Sequence, residues 1–366
     1  MKKILLVFGT RPEAIKMAPL AKELDLNKEL IEYKICITAQ HREMLDQVMD
    51  LFGITAEYDL NIMKGEQTLE DITSAVLKGV KEVIIEYDPD IVLVHGDTTT
   101  SMAAALAAFY NKKKIGHVEA GLRTYDKYSP YPEEINRQIV DQLSDLYFAP
   151  TVTSKNNLLK EGHNPENIYV TGNTVIDAMK YTIKEDYSDD IIKWVGASKM
   201  VLITTHRREN LGKPMENIFQ AINMITTKFK NVKFVFPVHF NPKVRMLAKK
   251  YLSDNAQVAL IDPLDVNKFH NYMKRAHIIM TDSGGIQEEA PSLGKPVLVL
   301  RDTTERPEGV QAGTLKLVGT DSLPIYEEVE RLLTDDECYN KMSLAQNPYG
   351  DGMASKRIVQ KILNAE

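Results

Sequence analysis

Short apolar runs alternate with longer segments of helical periodicity along the whole chain. The runs are rich in β-branched residues and bounded by turn-forming residues, a pattern typical of parallel strands buried on both faces. In the first half, the predicted strands are Ile4–Val7, Tyr33–Thr38, Ile91–Val94, Ile115–Val118 and Tyr147–Ala149. The predicted helices are Pro12–Leu26, Glu43–Phe52, Thr68–Glu86, Thr99–Tyr110 and Glu133–Leu143. This alternation predicts a doubly wound α/β sheet.

The same alternation starts again in the second half. A strand at Ile168–Val170, a helix at Val175–Ile183 and a polar segment at Lys184–Lys199 precede the new series. Its predicted strands are Met200–Thr204, Lys233–Pro237, Val258–Ile261, Ile278–Thr281 and Val297–Leu300, with helices such as Met215–Phe229 and Pro242–Tyr251 between them. An amphipathic helix over Met353–Ala365 follows. We therefore predict two similar α/β domains, divided near Thr171 and facing each other across a central cleft.

Composition agrees with a two-domain globular protein and excludes several other classes. The chain has 366 residues, of which 43% are hydrophobic and 26% are charged, so disorder, collagen and coiled coil are disfavoured. A net charge of -6 argues against a nucleic-acid partner, although local charge can still suit an anionic ligand. The two cysteines, Cys36 and Cys338, fit no metal-ligand spacing. With no signal-peptide pattern and no membrane-spanning apolar run, we expect a cytoplasmic protein without a membrane partner.

Two cations lie beside a predicted helix start, just after the first strand. In Gly9-Thr10-Arg11-Pro12-Glu13, Thr10 and Glu13 have the spacing of a capping box, so helix initiation explains most of the motif. Arg11 and Lys16 are not explained in this way, because cations near the positive end of a helix are unfavourable unless an anion binds there. The alternative is that both are solvated surface charges.

Carboxylates follow the later strands of the first half. Asp97 follows Ile91–Val94 and Glu119 follows Ile115–Val118, which places both at the carboxyl ends of parallel strands, where α/β folds bind ligands. Asp97 could instead cap the next helix. Glu133 and Glu134 begin a helix, and a helix start alone can explain Glu134. Together, Asp97, Glu119 and Glu133 form a set able to transfer protons if their surroundings separate their pKa values.

Histidines follow two strands of the second half. His206 stands beside Arg207 and Arg208, which makes it a candidate phosphate ligand or general acid. His239 follows the strand Lys233–Pro237 and is either a packed loop residue or a ligand contact.

The strongest local signal is the segment that follows the strand Ile278–Thr281. Ser283 can cap a helix there, and Gly284 and Gly285 let backbone N–H groups approach a phosphate. Glu289 suits ribose hydroxyls, and Arg306, after the next strand, suits a phosphate oxygen. The motif is neither G-x-G-x-x-G nor a P-loop, so neither a nicotinamide cofactor nor ATP hydrolysis is indicated. We predict a diphosphate on the second domain and carboxylates on the first, with no cofactor and no metal.

These motifs together resemble one family, the non-hydrolysing UDP-N-acetylglucosamine 2-epimerases. They occur in the same order over essentially the whole chain, which is more specific than any single motif. They are Phe8-Gly-Thr-Arg-Pro-Glu-Ala-Ile-Lys16, Gln40-His41-Arg42, Val94-His-Gly-Asp97-Thr-Thr, His117-Val-Glu119-Ala-Gly-Leu-Arg123, Pro132-Glu133-Glu-Ile-Asn-Arg137, Thr205-His206-Arg207-Arg208-Glu209-Asn210, Pro237-Val-His239-Phe-Asn-Pro242 and Thr281-Asp-Ser-Gly-Gly-Ile-Gln-Glu-Glu289.

The resemblance implies a fold and a reaction. The fold is GT-B, with two Rossmann-like domains, 1–171 and 172–351, and with the C-terminal helix, 352–366, joined to the first. The reaction is an isomerisation without cofactor that interconverts UDP-N-acetylglucosamine (UDP-GlcNAc) and UDP-N-acetylmannosamine (UDP-ManNAc), a precursor for cell-surface polysaccharide. UDP is eliminated to give 2-acetamidoglucal and is then added back, with C2 reprotonated on the other face. A homodimer is the family expectation.

The resemblance also implies roles for the candidate residues. Carboxylates move the C2 proton and stabilise an oxocarbenium-like state; these are Asp97, Glu119 and Glu133, and which is the base on which face stays open. Cations, His206 and backbone amides stabilise the departing diphosphate; these are Arg11, Lys16, His206, Arg306 and the amides of Ser283, Gly284 and Gly285. Glu289 holds the ribose, and uracil lies near Phe269 and residues 263–265, where Leu264 replaces a glutamine of many bacterial members.

Some bacterial members bind a second UDP-GlcNAc as an activator. Gln40, Glu133, Arg207 and His239 match positions of that site, whereas this chain has Glu43 and Glu66 where such members have Gln and Arg.

Three other functions fit parts of the pattern. They are a GT-B glycosyltransferase with the same UDP site, a hydrolysing 2-epimerase and a non-catalytic sugar-nucleotide sensor. Three carboxylates beside an anionic ligand would be costly without a catalytic role, which disfavours the sensor.

Overall fold

Two parallel sheets carry the fold of residues 1–38, 42–62, 65 and 67–364, which are the residues that this computed structural model describes. The chain divides into two compact units, Met1–Tyr181 with Tyr349–Glu366, and Thr182–Pro348. None of the helices in the described ranges is long and apolar enough to cross a membrane.

The first unit is built on a seven-stranded sheet. Its strands are β1 (Lys2–Phe8), β2 (Ile31–Ile37), β3 (Tyr58–Asp59), β4 (Ile91–His95), β5 (Lys114–Val118), β6 (Leu146–Ala149) and β7 (Ile168–Val170). Its helices are α1 (Arg11–Asp25), α2 (Arg42–Phe52), α3 (Leu69–Tyr87), α4 (Thr99–Tyr110), α5 (Glu133–Leu143), α6 (Val152–Lys160), α7 (Thr174–Thr182), which ends at the unit boundary, and α16 (Ala354–Asn364). The strand order β3-β2-β1-β4-β5-β6-β7 reverses direction between β1 and β4.

The second unit repeats this plan with six strands. They are β8 (Lys199–Thr204), β9 (Val232–Pro237), β10 (Val258–Ile261), β11 (Ile278–Thr281), β12 (Val297–Val299) and β13 (Leu315–Leu317). Its helices are α8 (Asp190–Val195), α9 (Lys213–Lys228), α10 (Pro242–Leu252), α11 (Val266–Arg275), α12 (Gly284–Glu289), α13 (Pro307–Ala312), α14 (Ser322–Thr334) and α15 (Asp336–Ser343). The order β10-β9-β8-β11-β12-β13 reverses between β8 and β11.

The core explains why these sequences form buried parallel strands. All five residues of Ile4–Phe8 in β1 are fully buried, as are Val201 and Ile203 in β8. Because helices cover both faces of each sheet, these strands carry apolar side chains on both sides. The predicted fold class, two Rossmann-like doubly wound α/β domains, is confirmed.

Several element boundaries differ from the predicted ones. Thr99–Tyr110 and Glu133–Leu143 match at both ends, whereas β3 and β13, two short strands at sheet edges, have too few residues to show a pattern and were not predicted. The polar segment 184–199 contains α8, which begins because the Asp189 carboxylate accepts a hydrogen bond from the Ile192 N–H at 2.9 Å.

The predicted domain division near Thr171 is not identical to the division into units. Helix α7 continues the first unit to Tyr181. The buried Asp177 carboxylate of α7 accepts hydrogen bonds from the N–H groups of Ala354 and Ser355 at the start of α16, so α7 and α16 are held together.

Candidate active site

Both units place polar loops where the strand order reverses. In the first unit these loops follow β1 and β4, and in the second they follow β8 and β11. Such reversals leave a crevice at the carboxyl ends of the strands, which is where open α/β sheets bind ligands.

The loop after β1 requires glycine at position 9, because a Cβ there would lie 2.0 Å from the Thr38 hydroxyl oxygen.

Glu13 ties together the two loops at the reversal of the first unit. Its carboxylate accepts hydrogen bonds from the N–H of Thr10 at 2.8 Å and closes the expected capping box. The other oxygen accepts from the hydroxyls of Thr98 and Ser101 at 2.7 and 2.9 Å, both of which follow β4. Glu13 is therefore a structural residue that fixes the start of α1 against the start of α4.

Glu119 is a heavily paired anion at the end of β5. Its Oε2 forms an ion pair with Lys16 of α1 and accepts a hydrogen bond from the Asn173 amide at 3.0 Å, while His95 Nε2 lies 3.6 Å away. Burial by itself raises the pKa of Glu119, but Lys16 and His95 outweigh it and hold that pKa well below its ordinary value. The residue has a φ of 69°, a left-handed conformation that is uncommon outside glycine.

Asp97 lies in the same group of charges as Glu119, but its pKa is shifted in the opposite direction. Burial raises the pKa of Asp97, and Glu119 adds to this effect, while Arg137 opposes it. Arg137 Nη2 lies 2.6 Å from Asp97 Oδ2, and the Asn136 amide donates to the Asp97 carbonyl at 3.0 Å. Asp97 does not cap α4, because the Thr98 hydroxyl takes that role.

Glu133 and Glu134 begin α5 but face different surroundings. Glu134 is fully buried and accepts hydrogen bonds from the N–H groups of Thr124 and Tyr125 at 3.0 and 2.9 Å, so it holds the preceding loop. Glu133 Oε2 is buried and accepts no hydrogen bond from the residues that the structure describes. Glu133 stands three and four residues before Asn136 and Arg137, which bond to Asp97, so it shares their helix face.

Of the two cations predicted at α1, one is paired within the described residues and the other is not. Lys16 is paired with Glu119. Arg11 lies in the first turn of α1, is partly exposed, and makes no hydrogen bond or ion pair with any described residue. Arg11 is therefore available to an anion, and its own positive charge beside the helix start is uncompensated within those residues.

In the second unit, Asp282 organises the two loops at the strand reversal. Its Oδ2 accepts hydrogen bonds of 2.9 Å from the Thr205 hydroxyl, from the N–H groups of His206 and Arg207, and from the Asn210 amide. This single buried carboxylate, directly after β11, shapes the loop after β8.

His206 is positioned by Asp282 and by a second imidazole. Its Nδ1 lies 3.3 Å from Asp282 Oδ1, and its ring stacks on that of His239 with centroids 5.4 Å apart and planes 15° apart. Burial lowers the pKa of His206, and the charge of Asp282 opposes this shift. Asp282 Oδ1 accepts no hydrogen bond from the described residues, so its contact with His206 is electrostatic.

The segment around Ser283, where a phosphate site is expected, lies between β11 and α12. Ser283 precedes α12, but its side chain accepts no hydrogen bond from the first turn of that helix, so the expected cap is wrong. A Cβ at Gly284 would lie 3.8 Å from Arg306 Nη2, so glycine leaves open space between the helix start and a guanidinium. Arg306 is ion-paired with Glu288 through Nε.

The residues expected at the nucleoside lie on or near α11. Leu264 and Phe269 are both partly exposed, and they flank Asp265, whose carboxylate caps α11 through the Lys268 N–H at 2.8 Å. Glu289 faces the buried His270, with Oε2 and Nε2 3.5 Å apart. Gln40 and Glu66 lie outside the described residues, as does the side chain of Glu43.

Sequence reasoning missed several residues of both clusters. These are His95, Arg137, Asn173, Asp282 and His270. His95 and Asp282 immediately follow or end buried strands, which is a signal that could have found them. The partners of Asn173 and Arg137 are set by tertiary contacts, for which the sequence gives no sign. Among residues 1–38, 42–62, 65 and 67–364, no group of three or more His, Cys, Asp or Glu side chains could hold a metal ion.

The fold and these clusters define a class of protein, the two-domain α/β enzymes with Rossmann-like sheets and polar ligand sites at the strand reversals. Comparison with known proteins narrows the class. The chain belongs to the UDP-N-acetylglucosamine 2-epimerase family, whose model matches residues 22–363. Members of this family are isomerases.

Three similar proteins illustrate the relationship. The UDP-N-acetylglucosamine 2-epimerase of Bacillus subtilis (strain 168) is 59% identical over 361 residues, which cover 99% of this chain and 95% of that relative. The crystal structure of UDP-GlcNAc 2-epimerase from Neisseria meningitidis bound to UDP-GlcNAc has a TM-score of 0.85 and 53% identity, covering 99% of this chain and 100% of that one. The Methanocaldococcus jannaschii UDP-GlcNAc 2-epimerase in complex with UDP-GlcNAc and UDP has a TM-score of 0.77 and 35% identity, with 99% and 100% covered.

Proposed function

We propose that this enzyme interconverts UDP-GlcNAc and UDP-ManNAc by elimination and readdition of UDP. Membership of the family supports the epimerase activity, and the bound UDP-GlcNAc and UDP of the similar structures support these ligands. The observation in this chain that carries the mechanism is the contrast among three carboxylates, of which Asp97 and Glu119 follow β4 and β5 and Glu133 begins α5.

The second unit holds UDP in this proposal. The diphosphate lies at Ser283, Gly284 and Gly285, where the uncapped N–H groups of α12 and the Arg306 guanidinium are close together. The ribose lies at Glu289, and uracil at Phe269 and Leu264. In the first unit, Arg11 has no partner among the described residues and is a further candidate ligand for a phosphate oxygen.

His206 assists departure of the leaving group. Its Nδ1 lies 3.3 Å from Asp282 Oδ1, and its lowered pKa favours a neutral ring that can take up a proton when a diphosphate binds. A dianionic ligand favours the protonated ring, and the imidazolium then stabilises the charge that develops on the departing phosphate.

The contrast among the carboxylates assigns their roles. Glu119, held as an anion by Lys16 and Asn173, is a weak base and stabilises positive charge that develops on the sugar ring. Asp97, with its raised pKa, and Glu133, with an unpartnered oxygen, are suited to proton transfer. We assign to them the C2 proton on opposite faces of the sugar, without deciding which serves which face.

The bond between C1 and the phosphate oxygen breaks with its electron pair leaving on UDP, and a carboxylate removes the C2 proton, so that C1 and C2 become doubly bonded in 2-acetamidoglucal. In the return step, UDP attacks C1 and the second carboxylic acid gives a proton to C2 from the other face. The net change is an inverted configuration at C2.

One experiment separates this function from its rivals. The protein is incubated with UDP-GlcNAc in D2O without an acceptor, and the products are identified by NMR. We expect UDP-ManNAc with deuterium at C2. Free N-acetylmannosamine and UDP as the main products would favour a hydrolysing epimerase. Absence of deuterium exchange at C2 would exclude an epimerase, and a glycosyltransferase or a sensor would then be the remaining functions.

Substitution tests the carboxylate assignment. Asp97→Asn, Glu119→Gln and Glu133→Gln should each lower turnover about 100-fold or more while UDP still binds. Glu82→Gln, an exposed carboxylate on α3, is the matched control. Loss of UDP binding in all three variants would show that these carboxylates are misplaced in the proposal.

Further proposals rest on the resemblance alone. They are cytoplasmic location, a homodimer and supply of a precursor for cell-surface polysaccharide. The second UDP-GlcNAc site also stays a prediction. Two of its expected residues have contacts within the protein: Arg207 Nε donates to the Asp282 carbonyl at 3.3 Å, and the His239 ring stacks on that of His206.

A further inference from the structure

His117 belongs to a buried polar network that the proposed reaction does not use. The residue lies in β5, and its side chain has no exposed surface. Its Nδ1 lies 2.6 Å from Oδ1 of Asp141 on α5, and its Nε2 lies 2.8 Å from the carbonyl oxygen of Gly96, directly after β4. Both ring nitrogens are therefore engaged with the protein, and the ring connects β5 to the loop that carries Asp97.

The partners of the ring determine which nitrogens carry hydrogen. A backbone carbonyl only accepts hydrogen bonds, so Nε2 must donate to Gly96. Asp141 also accepts from the Gly121 N–H at 3.2 Å, and it pairs with Arg123 at 2.7 Å. Oδ2 of Asp141 faces only donors, and the Arg123 guanidinium beside it favours the ionised carboxylate. An ionised Asp141 can only accept at Oδ1, so Nδ1 donates as well.

The surrounding charges compensate a cation at this position. Asp141 contacts the ring, Arg123 contacts the other oxygen of Asp141, and Glu161 accepts two hydrogen bonds from Arg123 at 2.7 and 2.5 Å. Positive and negative groups therefore alternate from His117 to Glu161. Such pairing is what a charge without solvent contact requires, because a lone buried imidazolium would be costly.

Gly96 connects this network to Asp97. Gly96 has a φ of 62°, in the left-handed region that glycine adopts readily. Its N–H donates to the Val118 carbonyl at 2.9 Å, and its carbonyl accepts from His117, so β5 holds both ends of the residue. The direction in which the chain leaves Gly96 determines where the Asp97 carboxylate points.

We propose that His117 is a protonated positioning residue, which holds the Gly96 carbonyl and thereby places the Asp97 carboxylate for proton transfer. The charge state stands on geometry alone, whereas the effect on turnover rests on the proposed function. Two experiments separate these parts.

Neutron diffraction tests the charge state on the full, unsubstituted chain. Crystals exchanged into D2O near neutral pH are expected to show deuterium on both Nδ1 and Nε2 of His117 and none on Asp141. Deuterium on only one ring nitrogen, or on an Asp141 oxygen, would overturn the proposal. The result does not depend on what reaction the enzyme catalyses.

Two substitutions test the positioning role. A glutamine amide reaches the place of Nε2 and can still donate to Gly96, whereas an asparagine amide reaches the place of Nδ1 and can donate only to Asp141. We expect His117→Asn to lower kcat about 10–100-fold with little change in KM, and His117→Gln to keep at least about ten times the kcat of His117→Asn.

The control loses a comparable hydrogen bond elsewhere in the first unit. Tyr87→Phe removes the bond from the Tyr87 hydroxyl to the Glu32 carbonyl, which is 3.1 Å long, and should keep its kcat. Rates are compared per folded molecule. Equal kcat values for the two His117 variants would overturn the positioning role. An unsubstituted enzyme that shows no epimerase activity would instead contradict the proposed function and leave the neutron result standing.

Discussion

Substitution of Asp282 should destabilise the second unit, because its carboxylate holds the loop after β8. Its Oδ2 accepts four hydrogen bonds of 2.9 Å, two from backbone N–H groups and two from side chains. Asp282→Ala leaves these donors without their acceptor beside fully buried strands. At about 1 kcal/mol for each lost bond, the free energy of unfolding of this unit should fall by about 4 kcal/mol. Asp282→Asn keeps an acceptor oxygen, and its loss should be about 1–2 kcal/mol.

The chain provides a reporter that is specific for this unit. Trp194 is the single tryptophan, lies in α8, and has the Lys233 ammonium 4.5 Å above its ring. Its fluorescence during urea unfolding therefore follows the second unit. Asp262→Ala is the matched control, because Asp262 is 83% exposed and its ion pair with Arg245 should contribute less than about 1 kcal/mol. An equally small loss for Asp282→Ala would refute the organising role of its carboxylate.

Three further predictions concern the first unit. Arg11→Met should weaken UDP binding about 10–100-fold in calorimetry, and it should not lower stability because Arg11 has no partner among the described residues. The control variant Lys22→Met, on the same helix, should bind UDP normally. Equal UDP affinity in the two variants would count against a role for Arg11. In the direction of reaction in which Asp97 removes the C2 proton, kcat/KM should fall on the acid side as Asp97 becomes protonated, at a pH above the ordinary aspartate range. Arg137→Gln should move this limb to higher pH, because Arg137 lowers the pKa of Asp97, and an unmoved limb would exclude Asp97 as its source. Asp177→Ala should speed hydrogen exchange within α16 by removing about 1–2 kcal/mol of capping, and exchange that rises equally throughout the unit would contradict this local effect.

Strand ends are the part of the site that sequence reasoning located well. Asp97, Glu119 and His206 all follow the strands that the apolar runs predicted, because parallel strands bring their carboxyl ends to one edge. The helix Thr99–Tyr110 was predicted with its observed ends, since its alanine-rich pattern is bounded by a capping threonine and by Asn111. In each of these cases a local signal carries the answer.

The pairing of these residues could not be predicted in the same way. Asn173 reaches Glu119 across 54 positions of the sequence, and Asp282 binds the N–H of His206 across 76. No periodicity or spacing encodes such contacts, which depend on how strands and helices pack. The ion pair that lowers the pKa of Glu119 relative to that of Asp97 is of the same kind, since Lys16 and Glu119 are 103 positions apart. The sequence therefore left the three carboxylates equivalent. The absent cap at Ser283 has a similar origin, because cap geometry depends on the loop that enters the helix.

In the proposed reaction, the bond between C1 and the diphosphate oxygen breaks and re-forms during epimerisation. UDP-GlcNAc with ¹⁸O in that bridging position tests it directly, with the enzyme at equilibrium and the label followed by ³¹P NMR. We expect label to move from the bridge to the non-bridging oxygens of the β-phosphate, because the released phosphate rotates before UDP adds back. Formation of UDP-ManNAc with all label retained in the bridge would contradict it.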